Sequence, residues 1–83
     1  MRRTRIDIII EILEVAKAGV NKTGLVYRTN LNFRIAEKYI ELMKKQGFLK
    51  NMSEKYMTTD EGKVFLMKAR EITLQLESPM LVL

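Results

Sequence analysis

The chain has 83 residues and contains no cysteine, no histidine and no tryptophan, with one proline and four glycines. Without cysteine there is no disulfide and no thiol nucleophile. Without histidine as well, the usual general base and the usual zinc ligands are missing, which excludes most nucleophile–base pairs and transition-metal sites. Gly19 and Gly24 do not have the spacing of a phosphate-cradling loop. Asp7, Glu11 and Glu14 share one side of a helix, but such an acidic stripe is ordinarily a solvated face. Neither an enzyme nor a cofactor or metal is expected. Long hydrophobic runs are missing too. Ile8-Ile9-Ile10 is closed off by Asp7 and Glu11, and Met80-Leu81-Val82-Leu83 adds four residues, whereas a membrane helix needs about 20. The expectation is a soluble, cytoplasmic protein without a signal peptide.

This length allows one domain. A domain so small buries only about 60% of the surface its unfolded chain exposes. With disulfides and zinc excluded, association with a second copy is the remaining common remedy. The net charge is +5, from 15 basic and 10 acidic residues. Residues 1–16 balance three arginines against three acids, residues 17–55 set nine basic against three acidic, and residues 56–83 set three against four. The surplus lies in the middle of the chain, as the footprint of a nucleic-acid-binding protein would. Ordinary surface lysines give the same total, so the placement of charge on the elements has to decide.

Helix and turn signals follow one another closely. Thr4 with Asp7 resembles a capping box opening a helix to about Ala18, with Gly19 as its stop. Ile6, Ile9, Ile10, Leu13 and Ala16 share one face of it, and Ile8, Ile12 and Val15 form a second apolar strip. Val20 reads as a brief strand. Asn21 or Thr23 caps a short second helix ending near Thr29. Thr29-Asn30-Leu31-Asn32 is a polar turn in which Leu31 plugs the core and Asn32 caps a third helix, Phe33 to about Gln46, stopped by Gly47. At 100° per residue, Ala36, Tyr39, Ile40 and Met43 fall on one side of that helix and Arg34, Lys38, Glu41 and Lys45 on the other. Phe48-Leu49-Lys50 and Lys55-Tyr56-Met57-Thr58 read as a hairpin around Asn51-Met52-Ser53-Glu54. Thr59 caps a last helix with Phe65, Ala69, Ile72 and Leu76 on its apolar face, ended by Pro79. The fold class is mainly α with a small β-hairpin, in the order helix, strand, helix, helix, hairpin, helix. Residues 1–78 form the domain and 79–83 a short apolar tail.

A helix-turn-helix followed by a hairpin is a winged helix-turn-helix, and the chain resembles the archaeal family of that name, which includes small dimeric chromatin proteins and transcriptional regulators. The resemblance rests on Arg3 to Leu13, Thr23, Leu25, Val26 and Tyr27, Asn30-Leu31-Asn32, Tyr39 to Met43, Gly47-Phe48-Leu49, and the Tyr-x-x-Thr-x-x-Gly of Tyr56, Thr59 and Gly62. It covers nearly the whole chain, and the order and spacing of its pieces carry it. It departs at Gly24, which costs a helix about 1 kcal/mol relative to Ala and leaves room for another backbone or a phosphate. It departs again in the shortness of the last helix before Pro79. The resemblance implies double-stranded DNA as partner, a homodimer and a nucleoid location, and the sequence itself gives no sign of a membrane or a small-molecule effector.

For DNA the candidates are Lys22, Thr23, Arg28, Asn32, Arg34, Lys38, Glu41, Lys45, Lys50 and Lys55. Arginine can take guanine O6 and N7 together, and glutamate can accept from cytosine N4. Arg34 lies in the first turn of the third helix, where base edges are usually met. Lys22 and Thr23 open the second helix, where backbone amides suit a phosphate. Lys50 and Lys55 flank the wing tip, where they serve DNA contact or protection of an edge strand equally well. The competing reading of the third helix is a solvated face with Lys45 paired to Glu41. Arg2, Arg3 and Arg5 read as a flexible basic arm or a disordered end. Tyr27 and Tyr39 are expected to pack, which argues against base stacking. For the dimer the candidates are Ile8, Ile12, Val15, Phe65, Ala69, Ile72 and Leu76. The alternative function is a winged-helix protein–protein interaction module without DNA affinity, which Glu37 and Glu41 in the third helix favour.

Overall fold

Four polar side chains start the helices, and each does so by accepting an amide proton that the helix cannot satisfy itself. In the computed structural model, which describes residues 3–77 and side chains to residue 74, Asp7 N–H donates to Thr4 Oγ1 at 3.2 Å and Thr4 N–H donates back to Asp7 Oδ2 at 3.0 Å. This opens α1, Arg5–Val15, which runs into a 3-10 turn over Ala16–Ala18. Asn21 accepts from Gly24 N–H at 2.7 Å and opens α2, Lys22–Thr29, so Asn21 rather than Thr23 is the cap. Asn32 accepts from Ile35 N–H at 2.8 Å and opens α3, Phe33–Lys45. Thr59 accepts from Gly62 N–H at 2.9 Å and opens α4, Asp60–Glu77. Asn30, at φ 57°, makes the left-handed turn between α2 and α3. The stop expected at Pro79 lies outside the described residues.

Strands β1, Leu49–Met52, and β2, Lys55–Thr58, pair antiparallel from Leu49↔Thr58 to Met52↔Lys55. The loop is therefore only Ser53-Glu54, shorter than the polar run Asn51–Glu54 suggests. Two-residue loops match the twist of a hairpin, so the strands take up Asn51 and Met52, and Ser53 carries the positive φ of 60°. Val20 forms an isolated antiparallel bridge to Tyr56, with both backbone bonds made at 3.0 and 2.8 Å.

The core joins Ile12, Leu13 and Ala16 with Val20, Leu25, Ile40, Met43, Leu49 and Leu66. Leu31 and Tyr39 pack against it as expected. On α1 the buried line is Ile12, Leu13 and Ala16, while Ile6 is exposed. A helix that is apolar nearly all round gives little contrast from which to read its inner face. On α4 the inner line is Leu66 and Ala69, with Phe65 stacked on Phe48 at 4.6 Å between ring centroids, and Ile72 faces out. Gly62 sits where the first turn of α4 meets the segment between α3 and β1. A Cβ there would lie 2.3 Å from the Phe48 carbonyl oxygen. Thr59 Oγ1 also donates to the Gly47 carbonyl at 2.6 Å, so the Thr-x-x-Gly pair fastens α4 to the segment leading into the wing.

Candidate nucleic-acid interface

The third helix presents the cationic strip its sequence outlines. Arg34, Lys38, Glu41 and Lys45 are all exposed, and Ala36, Ile40 and Met43 are buried behind them. The ion pairing differs from that of the competing reading. Glu41 pairs with Lys44 at 3.5 Å, one position short of Lys45, and no carboxylate among the described residues pairs with Arg34, Lys38 or Lys45. Arg34 and Lys38, four residues apart, are like charges side by side, an arrangement that disfavours the free helix and that a polyanion would relieve.

Lys22 is less free than its position at the head of α2 suggests. Its Nζ lies 2.8 Å from Glu37 Oε2 on α3. The hydrogen bond from Lys22 holds the Glu37 carboxyl below the usual carboxylate range, and the same bond raises the Lys22 ammonium above the usual lysine range. Both acids that spoke against DNA on α3 are thus occupied by lysines of this chain. Thr23 is exposed. At Gly24 an added Cβ would meet Asn21 Oδ1 and Val20 Cγ2, each at 3.1 Å. The close neighbours are the helix's own cap and Val20, not another backbone.

Arg28 is exposed at the end of α2, and Asn32 is exposed with its side-chain oxygen engaged in capping. In the hairpin register Lys50 faces Met57 and Lys55 faces Met52. Directly opposed residues share a face and successive ones alternate, so both lysines stand on the face away from Leu49 and Thr58, which are buried. Tyr27, expected to pack, is 86% exposed. Leu25 and Thr29, four residues apart, are the buried positions of α2, and Tyr27 lies at 200° from Leu25 on the opposite side, one turn after Thr23. That 3.6-residue phase is the signal that places it. Tyr39 is half-buried.

The N-terminal arginines do not behave as one arm. Arg2 lies outside the described residues. Arg3 is bonded to Glu11 and to the carbonyls of Thr29 and Asn30, a role that no local sequence signal discloses. Arg5 lines a groove of about 550 Å³ between α1 and α3, together with Ile8, Ile9, Ile35, Lys38, Tyr39 and Leu42.

The residues expected to face a second copy divide. Ile12 and Ala69 are inside the core, at 0% and 7% exposure, and so face no partner. Ile8, Val15 and Phe65 are half-buried against that core. Ile72 is exposed, and the Leu76 side chain lies outside the described residues. The apolar side chains that α4 does turn outward are Val64, Met67, Ile72 and Leu74. Among the described residues no group of three or more acidic side chains is placed to hold a metal ion, and no helix is long and apolar enough to cross a membrane.

Comparison with known proteins agrees with this architecture. A family model described as winged helix-turn-helix matches residues 2–77. An uncharacterized protein of the archaeon Methanocaldococcus jannaschii is 38% identical over 63 residues, which span 75% of this chain and 65% of that relative. The chain thus corresponds to less than two thirds of that relative's length. Among solved structures, Sso10a-2, described as a DNA-binding protein from Sulfolobus solfataricus, superposes with a TM-score of 0.80 at 25% identity, covering 90% of this chain and 83% of that one.

Proposed function

We propose that this chain, which belongs to the winged helix-turn-helix family, binds double-stranded DNA by laying α3 in the major groove, and that it acts as a homodimeric transcriptional regulator or chromatin-associated protein on the nucleoid. The observation that carries the reading is the row Arg34, Lys38 and Lys45, exposed and without carboxylate partners among the described residues. Arg34 is placed in the first turn to meet a base edge, and Lys38 and Lys45 follow the phosphates on either side. Lys50 and Lys55 on the wing, and Arg28 at the end of α2, are further exposed cations that we assign to the DNA backbone. Glu41 reads cytosine only by leaving Lys44. The description of Sso10a-2 as DNA-binding supports the same class of ligand.

The alternative, a protein-interaction module without DNA affinity, drew on Glu37 and Glu41. Their pairing with Lys22 and Lys44 removes that argument. Fluorescence anisotropy with a random duplex tests the choice. Binding at low salt that weakens steeply as salt is added is expected, and Arg34→Ala with Lys38→Ala abolishes it while thermal stability stays nearly the same. No binding to any duplex at low salt refutes the reading. Selection of sites from a random pool then separates the two roles, because a sharp motif means a regulator and none means packaging.

A further inference from the structure

Arg3 reaches back from the start of α1 and closes on the turn that precedes α3. Its Nη1 donates to Glu11 Oε1 at 2.5 Å and to the Thr29 carbonyl at 2.7 Å, and its Nη2 makes a longer contact of 3.5 Å with the Asn30 carbonyl. These carbonyls belong to the C-terminal end of α2, where the chain turns left-handed at Asn30. Carbonyls at a helix end lack partners within the helix, and a cation there also complements the helix dipole. One guanidinium therefore fastens three separate parts of the chain: the N-terminal segment, the middle of α1 and the end of α2. Two residues beyond Asn30 stands Asn32, the cap of α3.

We propose that Arg3 is a positioning residue for α3. It fixes the α2–α3 turn through the Thr29 and Asn30 carbonyls and does not touch the duplex as part of a basic arm. The planar fork of arginine suits this task, since it presents several donors in fixed directions while a lysine offers one compact ammonium. A turn left loose has to be ordered when DNA binds, and that ordering subtracts from affinity. The binding readout rests on the DNA reading above; the structural readout does not.

The test compares the unmodified chain with Arg3→Ala, Arg3→Lys and Lys38→Ala, by duplex binding over a salt series and by amide hydrogen exchange at residues 29–33. Arg3→Ala is expected to weaken binding about tenfold with the salt slope unchanged, whereas Lys38→Ala, which removes a phosphate contact, lowers the slope by about 0.9. Exchange at residues 30–32 speeds up in Arg3→Ala. Arg3→Lys regains part of the thermal stability but neither the protection nor the affinity. A slope that falls in Arg3→Ala as it does in Lys38→Ala makes Arg3 a phosphate contact and overturns the proposal. So does unchanged affinity with only a lower Tm. Should the unmodified chain bind no duplex, the DNA reading fails by itself, and the exchange data still decide the clamp: unchanged protection in Arg3→Ala rejects it.

Discussion

Lys22 on α2 and Glu37 on α3 are joined through Nζ and Oε2 at 2.8 Å, so the residue best placed to meet a phosphate at the head of α2 already holds an anion. The two helices of the helix-turn-helix are bridged on the surface by this pair. Exposed ion pairs contribute little to stability, but this one changes what Lys22 has available. A DNA phosphate must displace the Glu37 carboxylate before the ammonium can neutralise it. Glu37→Gln is therefore expected to tighten duplex binding several-fold and to steepen the salt slope by about 0.9, the contribution of one more neutralised phosphate. The gain should vanish in Lys22→Ala/Glu37→Gln. If Glu37→Gln leaves affinity and slope unchanged, Lys22 does not contact the backbone.

Gly62 has the closest backbone neighbour of the four glycines. A Cβ at that position would lie 2.3 Å from the Phe48 carbonyl oxygen and 2.8 Å from Thr58 Cγ2. Helix propensity alone favours Gly62→Ala by about 1 kcal/mol, but the obstruction is backbone, and overpacking costs about 1–3 kcal/mol. The net expectation is a loss, with Tm falling about 4–8 °C per kcal/mol in a domain of this size. Gly24→Ala is the comparison, because its nearest neighbours are side-chain atoms at 3.1 Å and no backbone atom. A thermal melt showing Gly62→Ala as stable as the unmodified chain would contradict this packing.

Those two glycines also show what the sequence discloses. Helix starts and stops rest on chemistry within three or four residues, and Thr4, Asn32, Thr59 and Gly47 were each legible for that reason. The buried side of α3 was legible because its apolar and charged residues separate cleanly at the helical period. On α1 they do not, so Ile12 was read as an outer residue when it is core. Tyr27 stands on the outer side of α2 because it is two residues, or 200°, from Leu25 and from Thr29. The roles of Arg3 and Lys22 depend on partners 26 and 15 residues away, and no local pattern carries such a pairing. The exposed cations of α3 were thus legible in the sequence, and their ion-pair partners were not.

Asp7 gives a pH dependence of definite sign. Its carboxyl is held below the usual carboxylate range, first by the hydrogen bond from the Thr4 backbone N–H and then by the Thr4 side chain. A carboxyl with a lowered folded-state pKa adds stability above its unfolded value, about 3.9, and that stability is lost as pH falls through the lowered value. Glu37 has the same sign, while Lys22, raised by Glu37, keeps its contribution until pH passes above the usual lysine range. The urea midpoints of Asp7→Asn and the unmodified chain should therefore differ by a constant amount from about pH 6 to 8 and converge below about pH 4. A difference that persists undiminished at acidic pH would mean that the Asp7 charge plays no part in the cap.

A second copy, if one binds, has to be met by different residues than the spacing of Phe65 and Ala69 suggests. Those two are committed to the domain's own interior. Val64, Met67 and Leu74 are exposed and stand three and seven residues apart along the outer side of α4, the spacing that lets one helix seat against another. Ile72 is 57% exposed as well, but it lies on the other flank of the helix, outside this line. An apolar line of this kind on a domain too small to be robust alone is what association would cover. Light scattering at micromolar concentration is expected to give twice the chain mass, and Met67→Glu with Leu74→Glu is expected to halve it while far-ultraviolet circular dichroism keeps its helical signal. Because both side chains lie outside the core, lost dimerisation should not unfold the helix-turn-helix, and duplex affinity should fall through lost bivalency with the per-chain contacts intact. A monomeric mass for the unmodified chain rules out the homodimer.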